Sequence, residues 1–488
     1  MKHQFKSFLI SSVICFISFI LRGQDLRDLQ AEYEAFKKHT LQEYSDFREK
    51  VNQEYADFIR RSWAEYQGEK PIPIPEDNPI PPKPYEQIEE EAPVVVKPKP
   101  VPLPQPVPQP KPIEPIYEQP VVDENVLAFE FYGIPSKVRF PKALNLKLDN
   151  LKPQSIAEGW ETLSTGRLDN AIRDCLEARI RYNLSDWAYL LFLDEVGKAY
   201  SNNPNDATLL TAFLYCQSGY QMRLAVDRNR LKLMYGSRHH IYDTPYYNVD
   251  GITFYPFGEV SNGLSICNAR YEGETPLSLI IDKEQAVGKY LSDSRHIVSK
   301  RYSSMAVDSK VPVPLVNFFD TYPTSVIGGN PLTRWAMYAN VPLARETKKL
   351  IYTRFKNVIE NDTELDAVNK LLNWVQTGFE YEYDDVVWGH DRAFFAEETL
   401  FYPYCDCEDR SILFSRLVRD LLGLDVALVY YPGHLATAVA FNDDVKGAVM
   451  MIEGRKFTVC DPTYIGAPVG AQMPGLDYSQ TQAIVLNK

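Results

Sequence analysis

Cys407, His434 and Asp461 are residues whose types and spacing can do chemistry together, and they follow one another at equal gaps of 27 residues. Cys407 sits in Tyr404-Cys405-Asp406-Cys407-Glu408-Asp409-Arg410, directly before a helix-like run. His434 follows a Pro432-Gly433 turn and opens the apolar stretch Leu435 to Phe441. Asp461 closes the strand-like Phe457-Thr458-Val459-Cys460 and is stopped by Pro462-Thr463. A helix-borne thiol can then face an imidazole on one strand, with a carboxylate on the neighbouring strand to orient it. Those are the roles of nucleophile, base and orienter.

The apolar positions Leu413, Leu417, Leu421 and Phe414, Val418, Leu422 repeat at i, i+4 and predict a helix from Glu408 to Leu422. A thiol at its start meets the positive end of the helix dipole and free backbone N–H groups, which favour the thiolate. Glu408 and Asp409 oppose that effect. His434 would take the thiol proton and later return it to a leaving amine. Asp461 would hold the second imidazole N–H and so fix the tautomer. The Cys407 backbone N–H is a natural oxyanion donor; Trp388 and Gln376 are candidates for the second, and Trp388 also for a wall of the acyl pocket.

Each residue has a plainer use. A lone buried cysteine is usually inert packing, a histidine at a strand start is often structural, and an aspartate before proline is a common turn residue. Cys405, Cys407, His434, Cys460 and Asp461 together hold enough donors for zinc. Structural zinc, however, uses Cys-x₂₋₄-Cys hooks where this chain has Cys-x-Cys, so no metal or other cofactor is expected. Cys405 is open to three readings: a rival nucleophile, a disulfide partner of Cys460, or a redox trap for Cys407. His239-His240 and His390-Asp391 read as surface residues.

The order of the three residues and the segments Asp406-Cys407-Glu408-Asp409, Gly433-His434 and Cys460-Asp461-Pro462-Thr463 resemble the transglutaminase-like cysteine enzymes, from about Leu371 to Ala467. The resemblance implies an α+β fold with a papain-like core and acyl transfer through a thioester on Cys407. It implies a protein or peptide amide as substrate. Water as acceptor makes a peptidase or amidase, which is favoured because nothing marks an amine site; an amine makes a cross-linking transferase. A transglutaminase-like fold used only for binding or envelope assembly is the reading from another class. The chain departs from the family's pattern at Cys405, where many members have glycine, and after His434, where many have an aromatic.

The elements that must position the triad lie in a chain of 488 residues, long enough for two or three cores. A net charge of −13 argues against nucleic acid as a partner. Lys2, Lys6 and the short apolar run Phe8 to Leu21 read as an export signal over 1–24, too short to span a bilayer. Ser12-Val13-Ile14 before Cys15 is a poor lipidation signal. The six later cysteines are too sparse for a disulfide scaffold, and periplasm or cell envelope is the expected location.

Over 25–68, Glu-Tyr pairs at Tyr33, Tyr44, Tyr55 and Tyr66 and phenylalanines at Phe36, Phe47 and Phe58 recur every 11 residues, an aromatic stripe on one long helix. That stripe must be buried by self-association, an envelope partner, or the chain's own body. Residues 69–122 hold about half of the 35 prolines and read as a polyproline spacer, reaching on the order of 150 Å if fully extended. Residues 123–335 read as mixed α/β with a β layer, and 336–488 as the catalytic domain. Within the former, Asp206 through Gly219 to Val226 echoes Asp409 through Gly423 to Val429. This is either a degenerate copy of the catalytic half-domain or two ordinary helix-glycine-strand units.

Overall fold

The computed structural model describes residues 26–75, 79–86, 94–112, 116 and 123–487. The expected export signal lies outside them. Among the described residues no helix is long and apolar enough to cross a membrane.

The chain is mixed α/β with curled sheets. In its carboxyl-terminal part the predicted helix forms as Cys407–Leu422 and ends on Gly423, whose φ of 67° is left-handed. Strand Asp425–Tyr431 follows and turns through Pro432-Gly433 into His434–Ala440, with Tyr431 opposite His434. Arg455–Cys460 pairs along the far side of His434–Ala440, Val449–Ile452 lies outside it, and Gln482–Val485 returns beside Asp425–Tyr431. Alternate residues serve two faces. Leu435 and Val439 enter the main core with the Cys407–Leu422 helix, whereas Ala436, Ala438 and Ala440 face a smaller cluster with Met473 and Leu476. Burial on both faces is why this strand reads as a continuous apolar run.

The amino-terminal part uses the same plan. Helix Pro204–Gln217 is followed by Gly219 (φ 93°) and the hairpin Met222–Asp227 with Arg230–Gly236. Ile252–Pro256 lies on the far side of Arg230–Gly236, Tyr247–Val249 lies outside it, and Gly263–Cys267 returns beside Met222–Asp227. Helix, glycine, inner hairpin, outer hairpin and return strand thus occur in one order, with one set of neighbours, in both sheets. The echo read from the sequence extends to strand topology. Arg230 opens the second strand of its hairpin where His434 opens its own.

The 25–68 segment differs from its expected single helix. The helix is Leu26–Arg61, and Trp63–Gln67 becomes an edge strand beside Gly263–Cys267. Its last turns dock on the chain's own body. Asn52, Tyr55, Ala56 and Ile59 are buried, the Tyr55 ring stacks on Tyr271 with centroids 4.3 Å apart, and the Asn52 amide bonds Gln217 and Trp160. Phe47 and Phe58 point outward. Tyr55 and Phe58, three residues apart, lie about 60° from one another around the helix, the first at the body-facing edge of the stripe and the second at its outward edge, so its last turns are shared between body and solvent.

The described stretches of 69–122 are not a free spacer. Lys83–Pro84 pairs with Tyr464–Ile465, Val95–Val96 with Val449–Met450, and Lys99–Pro100 with Gln482–Ala483. Proline gives a ladder no N–H, but residues between prolines do: Tyr85, Lys99 and Val101 donate to Ile465, Thr481 and Ala483 carbonyls. Edge positions are where proline-containing strands are tolerated, and this arm covers both edges of the carboxyl-terminal sheet.

Candidate functional site

The start of the Cys407–Leu422 helix is fixed from both directions. Asp406 and Asp409 close a reciprocal cap, the Asp409 carboxylate accepting from the Asp406 N–H at 3.2 Å. The same carboxylate accepts from the Phe394 N–H at 2.7 Å, tying the preceding loop to the helix. Buried Arg410 donates to the Gln376 and Phe379 carbonyls at 3.1 and 3.0 Å, and its Nε lies 3.4 Å from Cys405 Sγ. Ser411 Oγ bonds the Leu435 carbonyl at 3.0 Å, so the helix is pinned to the strand that carries the histidine.

His434 Nε2 lies 2.9 Å from Asp461 Oδ2, and both side chains are buried. The other Asp461 oxygen accepts from the Thr463 N–H and Oγ–H, each at 2.9 Å, and from the Tyr464 N–H. Pro462-Thr463 thus turns the chain so that one carboxylate oxygen caps the turn while the other meets the imidazole. Burial pushes the Asp461 carboxyl up, but His434 and Thr463 outweigh it and hold the group below the usual carboxylate range. His434 Nδ1 is buried and has no protein partner. Cys407 and His434 line one cavity of about 570 Å³, and the Leu435 N–H beside the histidine is directed to the Cys407 sulfur.

The thiol itself departs from expectation. Burial, then the Glu408 and Asp406 carboxylates, push the Cys407 thiol well above its ordinary range, against the Leu435 N–H. Cys407 Sγ–H donates to Glu408 Oε2 at 3.1 Å. In this enclosed state the proton stays on sulfur, because the neighbouring carboxylates and desolvation act together against the helix dipole.

Glu408 belongs to a second group. Its carboxylate and those of Asp384 and Asp391 lie within 4.8 Å of one another, with Arg334 paired to Asp391. Burial and then Glu408 push Asp384 up to about 8. Among the described residues, donor groups that could share an ion are these three carboxylates and Asp406, Cys407 and Glu408. The zinc set considered above is not assembled: Cys405 contacts Arg410, and Cys460 Sγ points to the Thr458 carbonyl at 3.6 Å. All six described cysteines are free thiols, so no Cys405–Cys460 bridge is present.

Two candidate residues have other work. Gln376 is buried and its amide is fully engaged with the loop after Asp461. It donates to the Asp461, Tyr464 and Ala467 carbonyls at 2.9 to 3.1 Å and accepts from the Gly466 N–H. It is a positioning residue for Asp461, with no donor left for an oxyanion. The Trp388 ring packs on Phe394 and Tyr402 beneath the Arg392 guanidinium, while its neighbours Gly389 and His390 line the cavity. The tryptophan in the cavity wall is Trp335, stacked on Tyr430 at 5.7 Å. Sequence reasoning missed it and Arg334, since neither carries a local motif. His239, read as a surface residue, is buried, accepts from the Leu279 N–H at 3.1 Å, and is pushed down to about 4 by burial.

Comparison with family models, curated proteins and solved structures finds no match to this chain.

Proposed function

We propose that the chain is an exported thiol enzyme acting on amide bonds of proteins or peptides. Its core would be a papain-like, transglutaminase-like arrangement of a thiol-bearing helix packed on an antiparallel sheet. The observation that carries the reading is the state of His434: Nε2 is held by Asp461, and Nδ1 is buried, unpartnered and in one cavity with Cys407. An imidazole oriented at one nitrogen and open at the other is what a thiol needs from its base.

In the proposed reaction Nδ1 removes the Sγ proton and the sulfur attacks the amide carbonyl. The oxyanion forms beside the Cys407 N–H at the first helical position. The imidazolium then protonates the leaving amine, giving a thioester. Water, deprotonated by His434, cleaves the thioester to acid and regenerates the thiol. Hydrolysis is favoured over transfer to an amine.

The test is trapping. The full chain is incubated with glutamine-containing peptides, with and without a primary amine, and the Cys407 peptide is followed by mass spectrometry. A thioester adduct absent in Cys407→Ala and His434→Ala supports the reading, and the product mixture ranks water against amine. If no peptide forms an adduct and Cys407 alkylation is indifferent to His434→Ala, the triad is not working as one, and the non-catalytic binding role replaces it.

A further inference from the structure

Described residues of the proline-rich arm, on either side of 76–78, reach the cavity that holds Cys407 and His434. Pro73, Ile74, Pro75 and Pro79 form part of its wall. The arm is tied on either side. The Asp243 N–H donates to the Ile72 carbonyl at 2.9 Å, and the Ile80 N–H donates to the Gly433 carbonyl at 2.8 Å, one residue before His434. Asp243 belongs to the amino-terminal part and Gly433 to the carboxyl-terminal part, so residues of both parts line the cleft and the arm is bonded to each. Cys407 and His434 are almost fully buried with the arm in this place, 6 % and 2 % exposed.

The occupant's chemistry matters. An extended proline-rich chain needs few backbone donors satisfied and has little conformational entropy left to lose on lying in a groove. At Ile72-Pro73 and Ile74-Pro75 the amide nitrogen is tertiary and presents a ring carbon where an ordinary amide presents N–H. The peptide bonds that enter Pro73 and Pro75 therefore lack the N–H of an ordinary amide, while those that enter Ile74 and Ile80 keep theirs.

We propose that the cleft is a binding site for an extended, proline-rich apolar polypeptide, and that the chain's own Ile72–Pro75 and Pro79–Ile80 are its resident occupant, shielding Cys407 until displaced. This assigns the class of polypeptide that the cleft holds, and rests on the reading above for the identity of the reactive group.

The test uses the full chain and native-state iodoacetamide capture of each cysteine, followed by mass spectrometry. One variant replaces Ile72, Pro73, Ile74, Pro75 and Pro79 by glycine or serine at unchanged length. A second, Ile80→Pro, removes the N–H given to Gly433 together with the Ile80 packing against the smaller apolar cluster, and leaves the residues at the cavity unchanged. Both should raise capture of Cys407 at least tenfold, and a synthetic peptide of sequence 70–82 added in trans should slow it again. Cys175 and Cys216, buried and outside the lining of the cleft, gauge folding. An increase confined to Cys407 carries the proposal; an increase shared by all three cysteines, or a peptide that fails to protect, overturns it. His434→Ala in the released background separates the two readings. If release still exposes Cys407 but His434 has no influence on its rate, the cover stands and the catalytic reading falls.

Discussion

Cys407 Sγ lies 3.1 Å from the carboxylate of the next residue, Glu408, so the thiol proton has a partner other than the histidine. A negative charge at that distance favours the protonated thiol. Removing the charge at constant shape, Glu408→Gln, lowers the Cys407 pKa. Capture by iodoacetamide near pH 7, compared in the arm-released background, is then expected to rise several-fold. An unchanged pH profile would mean that burial alone holds the proton on sulfur.

The buried carboxylates predict how stability follows pH. Burial pushes Glu397 up to about 7 and Asp384 up to about 8, from reference values near 4. Over that window the folded chain keeps protons that the unfolded chain has released, so stability falls as pH rises, by up to about 1.4 kcal/mol per pH unit for each such group. One Glu397 oxygen accepts from the Ala344 N–H at 2.6 Å and the other has no partner, an arrangement suited to the neutral acid. Glu397→Gln is therefore expected to flatten the decline of Tm between about pH 5 and pH 8. A slope equal to that of the parent protein would contradict the assignment.

Gln376 bonds three carbonyls around Asp461 and one N–H. Gln376→Met keeps the volume and loses all of these bonds, leaving buried carbonyls without donors. The expected cost is about 2–3 kcal/mol in urea unfolding, together with a fall in kcat larger than any change in KM, because Asp461 loses its setting while the substrate walls are untouched. Retained stability would mean that solvent replaces the amide.

Cys405 and Cys407 should behave as different kinds of residue. Cys405 is held between Arg410 Nε and the Glu380 carbonyl, 25 residues upstream. Cys405→Ala should cost stability and spare turnover, whereas Cys407→Ala should spare stability and abolish turnover. Loss of turnover in Cys405→Ala with the fold intact would reopen the question of which thiol reacts.

The placement of Cys407, His434 and Asp461 at the ends of elements was legible because local sequence is most informative there: a cap before Cys407, a Pro-Gly turn before His434, a proline after Asp461. Gln376 and Trp388 were misplaced because their partners are set by tertiary packing. Gln376 bonds residues 85 to 91 positions away, and no local pattern announces that. The Cys407 thiol was read as a helix dipole opposed by Glu408 and Asp409; that burial acts most strongly, and that Asp406 stands beside Glu408 as the opposing carboxylate, depends on the fold. The arm shows a different limit. Composition establishes that a proline-rich segment has no core of its own; it does not disclose whether a neighbouring sheet has open edges to receive it.

Those edges give the arm a protective part in the fold as well. A fragment trimmed to begin at residue 123 or 336 would bare the outer sides of Val449–Ile452 and Gln482–Val485, two rows of peptide groups that Val95–Val96 and Lys99–Pro100 now occupy. Uncovered strand edges recruit other chains. The segment that looks most dispensable by composition is the one whose removal would leave two strand edges open to other chains.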